Sequence, residues 1–187
     1  MDYKKLNKIL GNIDLYLLDQ VLKGRFSPEM DLLDAGGGEG RNLPYFIHNN
    51  FNITLADKNP DALRLARYLY QNKGINVDNF LETDLENIPL PAKAFDVVLC
   101  IAVLHFCTNQ NDFKRKLTEI NRVMKDDGLL IITMEAVTKN KKKDGFFLYD
   151  KHVKEIMINC GFKLIELPKI ILHHPEHATA GLILQKT

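Results

Sequence analysis

Short apolar runs alternate along the chain with longer segments whose apolar residues recur at helical spacing. The pattern predicts strands at residues 31–35, 53–56, 79–82, 95–101 and 129–133, and two more near 163–167 and 181–185. Between them it predicts helices at residues 14–23, 41–48, 60–73, 113–124 and 151–160. The run Val97–Ile101 is apolar throughout, which is typical of a parallel strand covered on both faces.

This alternation predicts an α/β fold with a doubly wound, mostly parallel, seven-stranded sheet of the Rossmann-like type. The last two strands have no helix between them, so they predict an antiparallel hairpin at the C-terminal edge of the sheet. At 187 residues the chain is predicted to form a single domain, with residues 1–28 as a helical lid segment.

A glycine-rich loop directly follows the first predicted strand. The segment Asp34–Gly40 reads Asp-Ala-Gly-Gly-Gly-Glu-Gly, and glycines at such a junction let the backbone approach a ligand closely. The spacing differs from the dinucleotide pattern, whose third glycine is replaced here by Arg41. The loop therefore suits a nucleoside-like ligand without a pyrophosphate and disfavours a nicotinamide dehydrogenase.

Charge and composition narrow the class of partner. A net charge of +1 gives no electrostatic case for nucleic acid or membrane binding, and no apolar run approaches the ~20 residues of a membrane helix. The N-terminus lacks the features of a signal peptide. The cysteines Cys100, Cys107 and Cys160 match no paired motif and are interpreted as reduced thiols, so a cytoplasmic location is expected.

Five landmarks occur in a recognisable order: Leu32–Gly40, Asp57, Asp84, the segment 95–105 and the segment 121–130. Together they resemble the class I S-adenosylmethionine-dependent methyltransferases over nearly the whole chain. Residues 38–42 and 57–59 are also similar to tellurite-resistance-type and related small-molecule methyltransferases. The chain departs from the family at Gly37, where cysteine or another small residue is common, and at residues 126–128, where proline-glycine is usual.

The resemblance implies S-adenosyl-L-methionine as cofactor, with S-adenosyl-L-homocysteine as product. The implied cofactor-binding residues are Asp34, Gly36, Gly38, Gly40, Arg41, Asp57, Lys58, Thr83, Asp84, Leu85, Ile101 and His105.

Within this set the acids receive separate roles. Asp57 is expected to accept hydrogen bonds from the ribose hydroxyls, and Asp84 with the Leu85 backbone to meet the adenine. Asp34 either bonds loop amides or reaches the cofactor ammonium through water. Arg41 either pairs with the cofactor carboxylate or lies solvated on the helix predicted to start there, whose positive end would also favour that carboxylate.

Histidines supply the remaining candidate chemistry. His105 is a candidate general base, and its alternative is packing over the cofactor. His173, His174 and His177 fit no familiar zinc spacing, so no metal is predicted; a polar loop near the acceptor pocket and a solvated turn both stay open. The lid over the acceptor is expected from the N-terminal helix, residues 137–149 and residues 172–177, with Lys139–Lys143 as a solvated loop.

The predicted function is methyl transfer to an unidentified small molecule by a monomer or homodimer, without nucleic acid or membrane partners. Segment 95–105 lacks the Asn-Pro-Pro-Tyr type sequence of enzymes that methylate amino groups of nucleic acids. Two alternatives remain: a methyltransferase acting on protein or RNA, and a catalytically inactive cofactor-binding partner module.

Overall fold

The computed structural model describes residues 2–73, 75–138 and 147–187. These residues form two compact units, one ending at Leu85 and one beginning at Glu86. The helices are α1 (Tyr3–Leu10), α2 (Leu15–Leu22), α3 (Pro44–His48), α4 (Pro60–Tyr70), α5 (Gln110–Val123) and α6 (Lys151–Asn159). The strands are β1 (Asp31–Ala35), β2 (Asn52–Asp57), β3 (Phe80–Glu82), β4 (Phe95–Ile101), β5 (Met124–Ala136), β6 (Phe162–Leu164), β7 (Lys169–His174) and β8 (His177–Lys186).

The first unit contains three parallel strands. Ala35 of β1 pairs with Ala56 of β2, and Asp57 at the end of β2 pairs with Glu82 of β3. The three strands therefore end at the same edge, where parallel α/β sheets bind their ligands. The glycine loop leaves the sheet at this edge.

Helix α4 forms where local chemistry predicts it. The Asn59 side chain accepts hydrogen bonds from the backbone N–H groups of Asp61 (3.0 Å) and Ala62 (3.4 Å), and Pro60 occupies the first turn. The helix ends at Tyr70, and the predicted stop at Gly74 lies outside the described residues.

The second unit combines one parallel pair with an antiparallel edge. Strands β4 and β5 are parallel, whereas β8 pairs antiparallel with β5, β6 and β7. The predicted α/β class, with a mostly parallel sheet and an antiparallel edge at the C-terminus, is confirmed. The prediction of one domain spanning residues 1–187 stays a prediction.

A buried lysine fastens the C-terminal strand. Lys186 donates hydrogen bonds from Nζ to the carbonyls of Asn121 (2.9 Å) and Met124 (2.8 Å). Because its charge is held by two acceptors, the side chain is tolerated at 8% exposure.

Four element assignments made from the sequence are wrong in detail. The described residues contain eight strands rather than seven, because β7 occupies a segment assigned to a loop. Helix α3 begins at Pro44 rather than Arg41, since proline is favoured in the first turn. Helix α1 is additional, and β5 extends on both sides of the predicted residues 129–133.

No helix in the described part of the chain is long and apolar enough to cross a membrane. The predicted loop Lys139–Lys143 lies outside the described residues, as does most of the predicted lid segment 137–149.

Candidate functional site

The glycine loop turns back against the end of β2. The backbone N–H of Gly36 donates to the carbonyl of Ala56 at 2.7 Å, and the loop then turns through Gly38 at φ 57° and Gly40 at φ 78°. These left-handed conformations favour glycine. A Cβ atom at Gly40 would lie 2.9 Å from Cε2 of Tyr70, whose hydroxyl donates to the Gly40 carbonyl at 3.1 Å.

Asp57 holds the loop from the neighbouring strand. Its Oδ2 accepts from the backbone N–H of Gly38 at 2.8 Å, and its Oδ1 accepts from the N–H of Asn59 at 2.8 Å. A carboxylate offers about four acceptor positions, so these bonds leave about two for a ligand. The side chain can thus shape the loop and bind hydroxyl groups at the same time.

Asp34 is buried behind the loop with 1% exposure. Neither carboxyl oxygen has a hydrogen-bond partner among the described residues. Burial raises the pKa of Asp34 to about 7, with the nearby Arg41 charge opposing the rise and Asp57 adding to it. Of the two alternatives for Asp34, a hydrogen bond to loop amides is not found among the described residues, and a role at the cofactor ammonium stays a prediction.

Gly37 has a packing role that the sequence did not indicate. A Cβ atom at this position would lie 2.5 Å from Cγ and Oδ2 of Asp34 and 2.8 Å from Cδ1 of Leu55. The carboxyl of Asp34 therefore fills the space of a side chain at position 37.

Arg41 and the adjacent buried Asn42 attach the loop to the N-terminal segment. Nη1 of Arg41 donates to the carbonyl of Asn12 at 3.2 Å, and Nη2 lies 3.9 Å from Oδ2 of Asp14. The Asn42 side chain accepts from the N–H of Asp14 at 2.9 Å. Arg41 precedes the five-residue helix α3, so the predicted positive helix end at this residue is wrong. Sequence reasoning missed Asn42.

The remaining predicted residues of the first unit lie at the ends of β2 and β3. The N–H of Thr83 donates to the carbonyl of Asp57 at 3.0 Å, which places Thr83 and the adjacent Asp84 beside Asp57. Lys58 and Asp84 are exposed, whereas Leu85 is buried.

Ile101 and His105 lie at the carboxyl end of β4 in the second unit. The chain turns at Ala102 with φ 59°, and the N–H of Ala102 donates to the carbonyl of Thr133 at 2.8 Å. His105 is 8% exposed, and its ring lies 4.3 Å from that of Phe106 between centroids. Both predicted roles of His105 stay predictions.

The C-terminal histidines belong to the β7–β8 hairpin. The rings of His173 and His177 stack at 4.8 Å, and His177 Nε2 lies 2.8 Å from Oε1 of Glu135. His173 Nε2 lies 3.0 Å from the hydroxyl of Thr179. Within the described ranges, no group of three or more histidine, cysteine or acidic residues is placed to hold a metal ion.

The sequence was compared with models of protein families. The model described as a methyltransferase domain matches residues 33–132, more than half of the chain. The chain belongs to this methyltransferase domain family. The matched residues include the glycine loop, Asp57, Asp84 and His105, so the resemblance found in the sequence is confirmed at the family level. The narrower likeness to tellurite-resistance-type enzymes stays a prediction.

Curated relatives carry the family resemblance across bacteria. The chain is 34% identical over 113 residues to YodH of Bacillus subtilis, an uncharacterized methyltransferase, covering 60% of this chain and 46% of YodH. It is 29% identical over 164 residues to the ubiquinone/menaquinone biosynthesis C-methyltransferase UbiE of Shewanella piezotolerans, covering 81% of this chain and 63% of UbiE. The methyltransferase-family chain thus spans about half to two thirds of these relatives.

A solved structure supports the fold independently. The 1,6-didemethyltoxoflavin-N1-methyltransferase of Burkholderia thailandensis superposes with a TM-score of 0.71 at 15% identity, covering 92% of this chain and 76% of that one. That structure contains 1,6-didemethyltoxoflavin and S-adenosylhomocysteine.

Proposed function

We propose that this chain is an S-adenosylmethionine-dependent methyltransferase that acts on a small molecule. The observation that carries the proposal is the pair of acids at the glycine loop. Asp57 has about two acceptor positions in reserve, and Asp34 is buried without a partner among the described residues. An adenosyl ligand with a cationic amino-acid end suits both.

Asp57 is proposed to bind the ribose. Its carboxylate lies at the end of β2 and is already oriented by Gly38 and Asn59, so no rearrangement is needed before hydroxyl groups donate to it. Asp84 is proposed to accept from the adenine amino group, with Leu85 and Thr83 at the same strand end.

Asp34 is proposed to complement the ammonium of the methionine end. A buried carboxyl without hydrogen bonds is unfavourable when charged, and a nearby cation stabilises the charged form. The open backbone at Gly36, Gly38 and Gly40 is proposed to admit this end of the cofactor. Arg41 is proposed to pair with the cofactor carboxylate, because its guanidinium has five N–H donors and its contacts with Asn12 and Asp14 involve only two of its nitrogen atoms.

The residues proposed from the second unit are Ile101, for a backbone contact, and His105. Lys58 completes the proposed set from the end of β2. Bound S-adenosylmethionine supplies an activated methyl group, so the chain has to align the acceptor, exclude water and, for a protonated acceptor, remove a proton.

Two observations support a small acceptor. The names of UbiE and of the Burkholderia enzyme refer to ubiquinone/menaquinone biosynthesis and to 1,6-didemethyltoxoflavin. The net charge of +1 also gives no support to an RNA acceptor, for which a strongly basic domain is expected. We propose a cytoplasmic monomer or homodimer without nucleic acid or membrane partners.

Cofactor binding is tested by isothermal titration with S-adenosylmethionine and S-adenosylhomocysteine. Wild type is expected to bind at micromolar affinity, and Asp57→Ala is expected to weaken binding by about tenfold or more because the ribose acceptor is lost. Asp57→Asn keeps an oxygen that can accept from Gly38, so it separates the loss of charge from collapse of the loop. Asp61→Ala removes an exposed acid nearby and is the matched control.

Acceptor class is tested with methyl-labelled S-adenosylmethionine and a cell extract divided by ultrafiltration. Label in the small-molecule fraction that depends on Asp57 supports the proposal. Label confined to the macromolecular fraction would favour a protein or RNA acceptor. Cofactor binding without transfer to either fraction would favour the inactive module.

His105→Gln tests the general base once an acceptor is known. A base role predicts a fall of about 100-fold in kcat with unchanged cofactor affinity. Packing over the cofactor predicts weaker cofactor binding and a smaller change in kcat.

A further inference from the structure

A cavity of about 490 Å³ opens within the first unit between α1, α3 and the end of α4. Its walls are apolar and are formed by Ile9, Pro44, Ile47, Leu69 and Tyr70. The volume lies in the range of small-molecule sites. None of the residues proposed for the cofactor lines this cavity.

Basic side chains also line the cavity, and three of them are lysines, which are charged at neutral pH. Lys5 and Lys8 project from α1, His48 ends α3 and Lys73 follows α4, and all four line the opening. No acidic residue lines it. None of the four side chains forms an ion pair with a described residue, although Lys73 Nζ lies 5.6 Å from the centroid of the Tyr70 ring. Positive charge around an apolar hollow is complementary to a molecule with an apolar body and an anionic head.

The walls of the cavity are fixed by local packing. At the end of α1 the backbone approaches Pro44 so closely that a Cβ atom at Gly11 would lie 2.8 Å from Cγ of that proline. On the opposite side, Tyr70 donates its hydroxyl to the Gly40 carbonyl. Pro44 and Tyr70 are therefore held in place by contacts that do not require an occupant.

We propose that this cavity is a second binding site, specific for a small anionic amphiphile with an alkyl or aromatic body and a carboxylate or phosphate head. The apolar body would occupy the hollow between Ile9, Ile47 and Leu69. The head group would lie at the opening, where Lys5 and Lys8 donate charge-assisted hydrogen bonds. The proposal is independent of the cofactor assignments.

The absence of tryptophan from the sequence permits a clean optical test. Leu69→Trp places a unique fluorophore in the cavity wall. Decanoate and decyl phosphate, added as monomers, are expected to change its emission saturably, whereas decanol and decyltrimethylammonium bind at least about tenfold more weakly because they lack the anionic head. Isothermal titration of wild type with the same compounds repeats the comparison without the reporter.

Charge variants locate the head group. The double variant Lys5→Gln, Lys8→Gln is expected to weaken decyl phosphate binding by about tenfold or more and to reduce its salt dependence. Lys4→Gln removes a lysine of the same helix that does not line the cavity, so its affinity is expected to stay within about twofold of wild type. Ile9→Phe keeps every charge but fills part of the hollow, and is expected to weaken all alkyl probes.

Three results would overturn the proposal. The first is that saturable anion binding is absent in both measurements. The second is that decyltrimethylammonium binds as tightly as decyl phosphate. The third is that Lys4→Gln weakens binding as much as the double variant does. If the tryptophan emission changes with anionic lipid vesicles but not with the monomeric probes, α1 binds a membrane surface and the cavity is not a binding site. Loss of binding in the double variant at an unchanged melting temperature, with Lys4→Gln unaffected, supports it.

Discussion

Replacing Asp34 with asparagine is expected to remove a pH dependence from the stability of the protein. The pKa of the buried carboxyl rises from 3.8 to about 7 in the native state, mainly through burial. Between about pH 4 and about pH 7 the native state therefore holds a proton that the unfolded chain has lost. The free energy of unfolding falls as the pH rises through this window and becomes level above it.

The magnitude follows from the two pKa values. At about 1.4 kcal/mol per pH unit, a rise from 3.8 to about 7 corresponds to about 4 kcal/mol at most. Domains are typically stable by only about 5–15 kcal/mol, so even half of this effect is measurable. Asparagine has a similar shape and no charge, so the contribution disappears in the variant.

The assay is urea unfolding followed by circular dichroism at about pH 5 and about pH 8. The quantity of interest is the stability of wild type minus that of Asp34→Asn at each pH, because the other ionisable groups are the same in both proteins and their contributions cancel. Of the full effect, the part between about pH 5 and about pH 7 is tested, so wild type is expected to lose about 2–3 kcal/mol relative to the variant on going to the higher pH. Asp61→Asn, whose side chain is 74% exposed, serves as control.

A stability difference that is the same at both pH values would refute the reasoning, because it would mean that Asp34 has an ordinary pKa. If the free energy of unfolding of wild type instead rises relative to that of Asp34→Asn at higher pH, the charged Asp34 carboxylate forms a stabilising contact when the protein is in solution.

The same carboxyl connects stability with the proposed cofactor. An ammonium near Asp34 lowers its pKa, so binding of S-adenosylmethionine at about pH 6.5 should release a proton from wild type but not from Asp34→Asn. Titrations in buffers of different ionisation enthalpy measure this release. Equal release by both proteins would place the ammonium elsewhere.

Two further predictions concern stability, and both use urea unfolding. Gly40→Ala is expected to cost about 2–5 kcal/mol, from a φ of 78° and a Cβ only 2.9 Å from a tyrosine ring. Gly24→Ala, at φ 67° with no atom within 4 Å, should lose only about 1–2 kcal/mol, and equal losses would contradict the packing argument. Arg122→Ala is expected to cost about 1–3 kcal/mol, because Arg122 donates to two backbone carbonyls at 2.8 and 2.9 Å and pairs with Glu119. The control is Arg64→Ala, which removes an exposed ion pair and should change stability by less than about 0.5 kcal/mol. If Arg122→Ala also costs less than about 0.5 kcal/mol, water replaces the contacts of Arg122 without loss.

Elements with local signals could be predicted from the sequence. Helix α4 carries its own cap at Asn59 and its own start at Pro60, and β4 is apolar almost throughout, so neither depends on distant residues. Strand β7 was missed because all six of its residues are exposed and no burial pattern marks it. Helix α1 was missed for a related reason, since none of its residues is buried.

The site could be predicted in residue type but only partly in geometry. Asp57 was identified from its position at a strand end, yet its bond to Gly38 depends on the register that pairs Ala35 with Ala56. The isolation of Asp34 depends on the path of the whole loop. Asn42 was missed because its partner Asp14 lies 28 residues away in the sequence.

The contact between Asp34 and Gly37 has a consequence for how this loop can vary. A Cβ at position 37 would overlap the Asp34 carboxyl, so the two positions share one small volume. A library that randomises position 37 alone and is selected for folded protein should return almost only glycine. A library that randomises positions 34 and 37 together should also return folded variants with a side chain at position 37 and a smaller or differently directed residue at position 34. In this chain, positions 34 and 37 are therefore expected to vary together rather than independently.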